Sequence, residues 1–103
     1  MSEINYKILK ILESNPNLSQ REMAEELGVS LGKTNYVLKA LINRGFIKLN
    51  NFRKSNNKLG YAYKLTPSGI SRKSLLAKRF LQNKIEEFNS LQIEIEKLKK
   101  EFD

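Results

Sequence analysis

The chain has 103 residues, enough for one domain with a real core, because 40% of it is apolar. It carries 19 Lys+Arg against 11 Asp+Glu, a net charge of +8. It has no Cys and no His, which excludes a disulfide scaffold, a thiolate or imidazole metal site, and Cys–His or Ser–His–Asp nucleophiles.

In residues 3–14, Ile4, Ile8, Ile11 and Leu12 recur at helical spacing, with Ser2 as an N-cap and Pro16 closing the segment. Leu18-Ser19-Gln20-Arg21-Glu22-Met23 then starts a second helix. Ser19 and Glu22 have capping-box spacing, Leu18 and Met23 the spacing of a hydrophobic staple, and Gly28 stands where a left-handed stop belongs. Ser30 caps a third helix, whose Thr34, Val37, Leu38, Leu41 and Ile42 share one face before it stops at Gly45. Its other face, Gly32, Tyr36, Lys39 and Asn43 flanked by Lys33 and Ala40, is polar, basic and partly small.

The period then changes to two. Ile47 and Leu49 alternate with polar residues, as do Tyr61, Tyr63 and Leu65, which predicts a hairpin. Residues 51–60 between them are rich in Asn, Ser and Gly and predict a long basic loop bearing Arg53, Lys54 and Lys58. Thr66-Pro67 reads as a cap and first helical position, and no proline follows. Leu81, Phe88, Ile95 and Phe102 recur every seven residues, with Leu91 and Leu98 three positions after two of them. This is an a/d heptad seam, broken at one d position by Lys84, with Glu87, Glu94 and Glu101 at g. It predicts either an intermolecular coiled-coil-like seam or a long helix packed on its own domain. The fold class expected is therefore mainly α with a small β-hairpin. Residues 1–66 form a winged helix-turn-helix, and residues 67–103 a long C-terminal dimerisation helix.

Charge follows this plan. No Asp or Glu occurs between Leu27 and Ile85, a stretch that carries 13 Lys and Arg. An acid-free zone of that length points to a surface that meets a polyanion. Two helices joined by Gly-Val-Ser, the second with a basic outer face, describe a helix-turn-helix, whose second helix fits the major groove of DNA. In that reading Gly32 lets the backbone approach the duplex, and Lys33 can donate to guanine. Asn35 can pair with adenine or pack locally, and Tyr36 offers a hydroxyl and a flat face. Lys39 suits a phosphate, as do Ser19 and Gln20 at the start of the second helix, and the cap Ser30 borders the same surface. Arg53, Lys54 and Lys58 suit the minor groove or the flanking backbone. Leu81, Phe88, Leu91, Ile95, Leu98 and Phe102 are the candidate dimerisation residues.

The stretch from Leu18 to Ser30, the segment Leu31-Gly32-Lys33-Thr34-Asn35-Tyr36, the segment from Lys39 to Lys48 and Ala62-Tyr63-Lys64-Leu65-Thr66-Pro67-Ser68-Gly69-Ile70 together resemble the winged helix-turn-helix of MarR-type bacterial regulators. The combined string looks most like the small branch associated with exopolysaccharide (EPS) gene clusters. The resemblance spans roughly residues 4–98 and implies a homodimeric, sequence-specific regulator of double-stranded DNA with an inverted-repeat operator. Typical MarR proteins carry an extra N-terminal helix in the dimer interface. Here helix 1 starts near residue 3, so dimerisation is expected on residues 68–102 alone, and no small-molecule effector is expected. The alternative is a winged-helix protein–protein adaptor without DNA binding. An enzyme is not expected, because neither a carboxylate cluster nor a phosphate-binding glycine loop is present. No run approaches a membrane span and the N-terminus has no signal-peptide pattern. The expectation is a cytoplasmic bacterial protein with no cofactor, no metal and no membrane partner.

Overall fold

A computed structural model describes residues 2–53 and 59–103. The elements run α1 (Ser2–Ser14), α2 (Gln20–Leu27), α3 (Leu31–Asn43), β1 (Ile47–Arg53), β2 (Leu59–Leu65) and α4 (Pro67–Lys100). The predicted fold class is the one observed: a mostly helical chain with one antiparallel hairpin and a long last helix.

Local chemistry starts and stops these helices. Ser2, expected as a cap, is instead the first helical residue of α1. At α2 the capping box is complete: the Ser19 hydroxyl accepts from the Glu22 N–H at 3.1 Å, and the Glu22 carboxylate accepts from the Ser19 N–H at 3.0 Å. Gly28 ends α2 at φ 68°, and Gly45 follows α3 at φ 80°. A side chain would be strained at both. The Ser30 hydroxyl accepts from Lys33 N–H at 3.0 Å to start α3.

α2 has only 8 residues and cannot hold its own helix in water. Tertiary packing does so. Ile8, Leu9 and Leu12 of α1 meet Met23 of α2 and Val37, Leu38 and Leu41 of α3, and Ile47, Tyr63 and Leu76 close the same core. Each such aliphatic side chain contributes roughly 1.5–3 kcal/mol by leaving water. Thr34 is fully buried among them and satisfies its hydroxyl by donating to the Ser30 carbonyl at 3.0 Å.

The hairpin differs from its prediction. β1 and β2 pair from Ile47↔Leu65 out to Arg53↔Leu59, so residues 51–53 and 59–60, expected in the loop, are strand. Cross-strand hydrogen bonding carries the ladder past the Asn and Gly residues that suggested a loop. The remaining loop positions, 54–58, lie outside the described residues. The Tyr63 N–H donates to the Pro16 carbonyl at 2.9 Å and ties the hairpin to the α1–α2 turn.

α4 begins against the end of α3. The Thr66 hydroxyl donates to Gly45 O at 2.6 Å, and the Ser68 hydroxyl donates to the same oxygen at 3.0 Å. The Thr66 N–H donates to Phe46 O at 3.1 Å. Gly69 is buried where any β-carbon would overlap the Phe46 carbonyl. Further along, α4 packs on α1 through a Lys73–Glu13 ion pair and a Tyr6–Phe80 ring stack at 5.4 Å. From Leu81 onward every residue of α4 is exposed in the single chain, and the molecule measures 69 × 26 × 20 Å.

Candidate nucleic-acid interface

α3 is buried along Thr34, Val37, Leu38 and Leu41. Helical geometry therefore turns the intervening positions outward. Gly32, Lys33, Tyr36 and Lys39 are exposed, Tyr36 to 68%. Asn35 is half-buried at the edge of this face. A β-carbon at Gly32 would meet nothing within 4 Å, so the chain itself imposes no steric need for glycine there.

The N-terminus of α2 is less open than the sequence suggests. The Ser19 N–H is held by the Glu22 carboxylate, which brings a negative charge to the spot expected to receive a phosphate. Gln20 is half-buried, and its side-chain amide donates to the Tyr63 hydroxyl at 3.2 Å. Part of its hydrogen-bonding capacity thus joins α2 to the hairpin. The capping serines, Ser19 and Ser30, use an oxygen lone pair for the cap, which leaves the hydroxyl proton as a donor toward solvent.

On the hairpin, Lys48 and Lys64 are exposed and lie directly opposite one another. Like charges in that position repel. Both residues fall in the acid-free zone, but only the strand register brings them together. Arg53 is the last residue of β1; Lys54 and Lys58 fall outside the described residues. Among the described residues, no carboxylate forms an ion pair with Lys33, Lys39, Lys48 or Lys64. The described residues contain no cluster of carboxylates that could hold a metal ion and no helix long and apolar enough to cross a membrane. A cleft of about 190 Å³ lies where α1, the end of α3 and α4 meet, lined in part by Arg44, Phe46 and Arg72.

Residues 1–48 match a family model described as winged helix-turn-helix DNA-binding. No curated protein matches the chain. Among solved structures, the PcaV transcriptional regulator from Streptomyces coelicolor, in complex with its natural ligand, matches with a TM-score of 0.61 at 25% identity. That match covers 76% of this chain and 54% of PcaV, so the chain spans about half of that relative's length. A MarR/EmrR family transcriptional regulator from Acinetobacter sp. ADP1 matches with a TM-score of 0.63 at 23% identity, over 97% of this chain and 75% of that one. A mutant MarR from E. coli complexed with operator DNA matches with a TM-score of 0.58 at 23% identity, over 73% of this chain and 52% of that one. The chain thus has the winged helix-turn-helix fold of the MarR regulators, with α3 in the place of the second helix of the motif and the β1–β2 hairpin as its wing.

Proposed function

We propose that the chain is a sequence-specific double-stranded DNA-binding transcriptional regulator, not an enzyme, that works as a homodimer in the bacterial cytoplasm. The observation that carries the reading is the outer face of α3. Lys33, Tyr36 and Lys39 are exposed on it, and none of its lysines has a carboxylate partner among the described residues. A surface that keeps its cations unpaired is matched to an anion supplied from outside. The fold matches, which include a regulator complexed with operator DNA, support it.

In this reading α3 enters the major groove with Gly32, Lys33, Asn35 and Tyr36 near base edges. Lys39 addresses phosphate, and Ser19, Gln20 and Ser30 border the backbone. The wing, with Arg53, Lys54 and Lys58, lies on the minor groove or the backbone. Leu81, Phe88, Leu91, Ile95, Leu98 and Phe102 join two chains, and the site is an inverted repeat with half-sites about 34 Å apart. The proposal includes the branch associated with EPS gene clusters and no small-molecule effector. A mobility-shift titration on random duplex DNA at several salt concentrations tests it. Binding that weakens steeply with salt is expected. No binding at any salt concentration would overturn it in favour of the protein–protein adaptor.

A further inference from the structure

We infer that the free half of α4 pairs with a second copy of this chain in parallel and in register, so that both winged domains stand at the same end of the pair. This deepens the homodimer of the proposed function and rests on it.

The surface is defined by what α4 leaves unpartnered. Up to Phe80 the helix packs on α1, through the Phe80–Tyr6 stack and the Lys73–Glu13 pair. Beyond that point Leu81, Phe88, Leu91, Ile95, Leu98 and Phe102 are all exposed in the single chain, Phe88 to 58% and Phe102 to 86%. They lie along one stripe of a continuous helix that reaches Lys100. A stripe of a and d positions is the seam of a two-stranded coil.

Charge decides the direction. In an antiparallel pair, g positions face g positions of the partner. Here Glu87, Glu94 and Glu101 occupy g, so every antiparallel register that pairs more of the seam than Leu81 with Lys84 sets glutamate against glutamate. The register with the fullest overlap, which places Leu81 opposite Leu98, also sets Lys78 against Lys99. In a parallel pair, g faces the e position five residues on in the partner. Glu94 then meets Lys99, Glu87 meets the neutral Gln92, and Phe80 meets Ile85. That arrangement gives one attractive charge contact per side, an apolar flank, and no glutamate facing another.

In the parallel arrangement Lys84, the one polar d residue, faces the partner's Lys84 across the seam. Its ammonium lies 3.3 Å from the Glu87 carboxylate of its own helix and 5.2 Å from the Phe80 ring centroid. Its charge is thus compensated within its own chain before pairing. A single polar seam residue penalises shifted registers, because a shift buries it against an apolar layer.

The absence of cysteine in the chain allows a direct test with the full-length protein. Leu81→Cys and Leu98→Cys are made separately, in chains carrying different size tags, and oxidised alone and mixed. Both positions are exposed, so neither change touches the winged core. Parallel pairing predicts disulfide-linked dimers of each variant alone, because like positions in the seam fall within the reach of a disulfide. Cross-linking only in the mixture, between position 81 and position 98, would overturn the parallel assignment while the homodimer stands. A dimer by sedimentation that gives neither cross-link would also overturn it. A monomer by sedimentation of the unmodified chain would overturn the homodimer itself.

Discussion

Two glycines with opposite surroundings separate folding from recognition. Gly69 sits where a β-carbon would overlap the Phe46 carbonyl, whereas Gly32 looks into open space. Gly69→Ala is therefore expected to destabilise the fold by about 2 kcal/mol or more, measured by urea unfolding. Gly32→Ala is expected to leave stability unchanged or raise it by up to about 1 kcal/mol through helix propensity, yet to weaken DNA binding, because in the proposed complex the added methyl would stand between the α3 backbone and the groove. Normal DNA affinity in Gly32→Ala would show that no such approach occurs. Lys33 and Asn35 carry a second contrast with Lys39. Changing Lys33 or Asn35 to Ala is expected to cost roughly 1–3 kcal/mol on a cognate site and far less on random duplex. The Lys39 change should weaken both in proportion. Equal losses on both duplexes for Lys33 and Asn35, read by competition titration, would remove them from base reading.

Helix ends were legible in the sequence because their chemistry is local. As caps, Ser19 with Glu22, Ser30, Gly28 and Thr66 act on residues within four positions of themselves, and each caps as its spacing predicts, whereas Ser2 is helical rather than a cap. The strand ends were not legible. Whether residues 51–53 pair with residues 59–61 depends on a ladder between two segments, and the Asn and Gly content there carries no such information. The same holds for the Gln20–Tyr63 hydrogen bond, which spans 43 positions and turns an expected phosphate ligand partly inward. The Lys48–Lys64 juxtaposition was hidden because it exists only once the register is known. On the wing, replacing Arg53, Lys54 and Lys58 with Ala is expected to weaken binding to all duplexes alike. The slope of log affinity against log salt should fall by about one unit per lost phosphate contact. A slope equal to that of the parent chain would place the wing off the DNA.

At the scale of the whole molecule, the winged core and the protruding half of α4 are built from separate sets of residues. Phe88 and Leu91 are exposed and belong to no part of the core. Phe88→Asp with Leu91→Asp is therefore expected to give a monomer by sedimentation that unfolds at nearly the parent's urea midpoint. It should lose tight binding to an inverted repeat while keeping weak binding to random duplex. A dimer that survives both changes would move the interface elsewhere. The bonds from Thr66 and Ser68 to the Gly45 and Phe46 carbonyls add a mechanical consequence. They grip α3 at its C-terminal end, while its candidate reading residues lie at the other end. That is a span of about 20 Å for a helix of this length. A rotation of about 10° at the grip would carry the reading end about 3.5 Å, one base-pair step along a strand. If two chains address an inverted repeat as proposed, the stiffness of this joint, together with the α1–α4 packing beside it, would set the tolerance for half-site spacing, as the tightness of its pivot sets what a pair of dividers can measure.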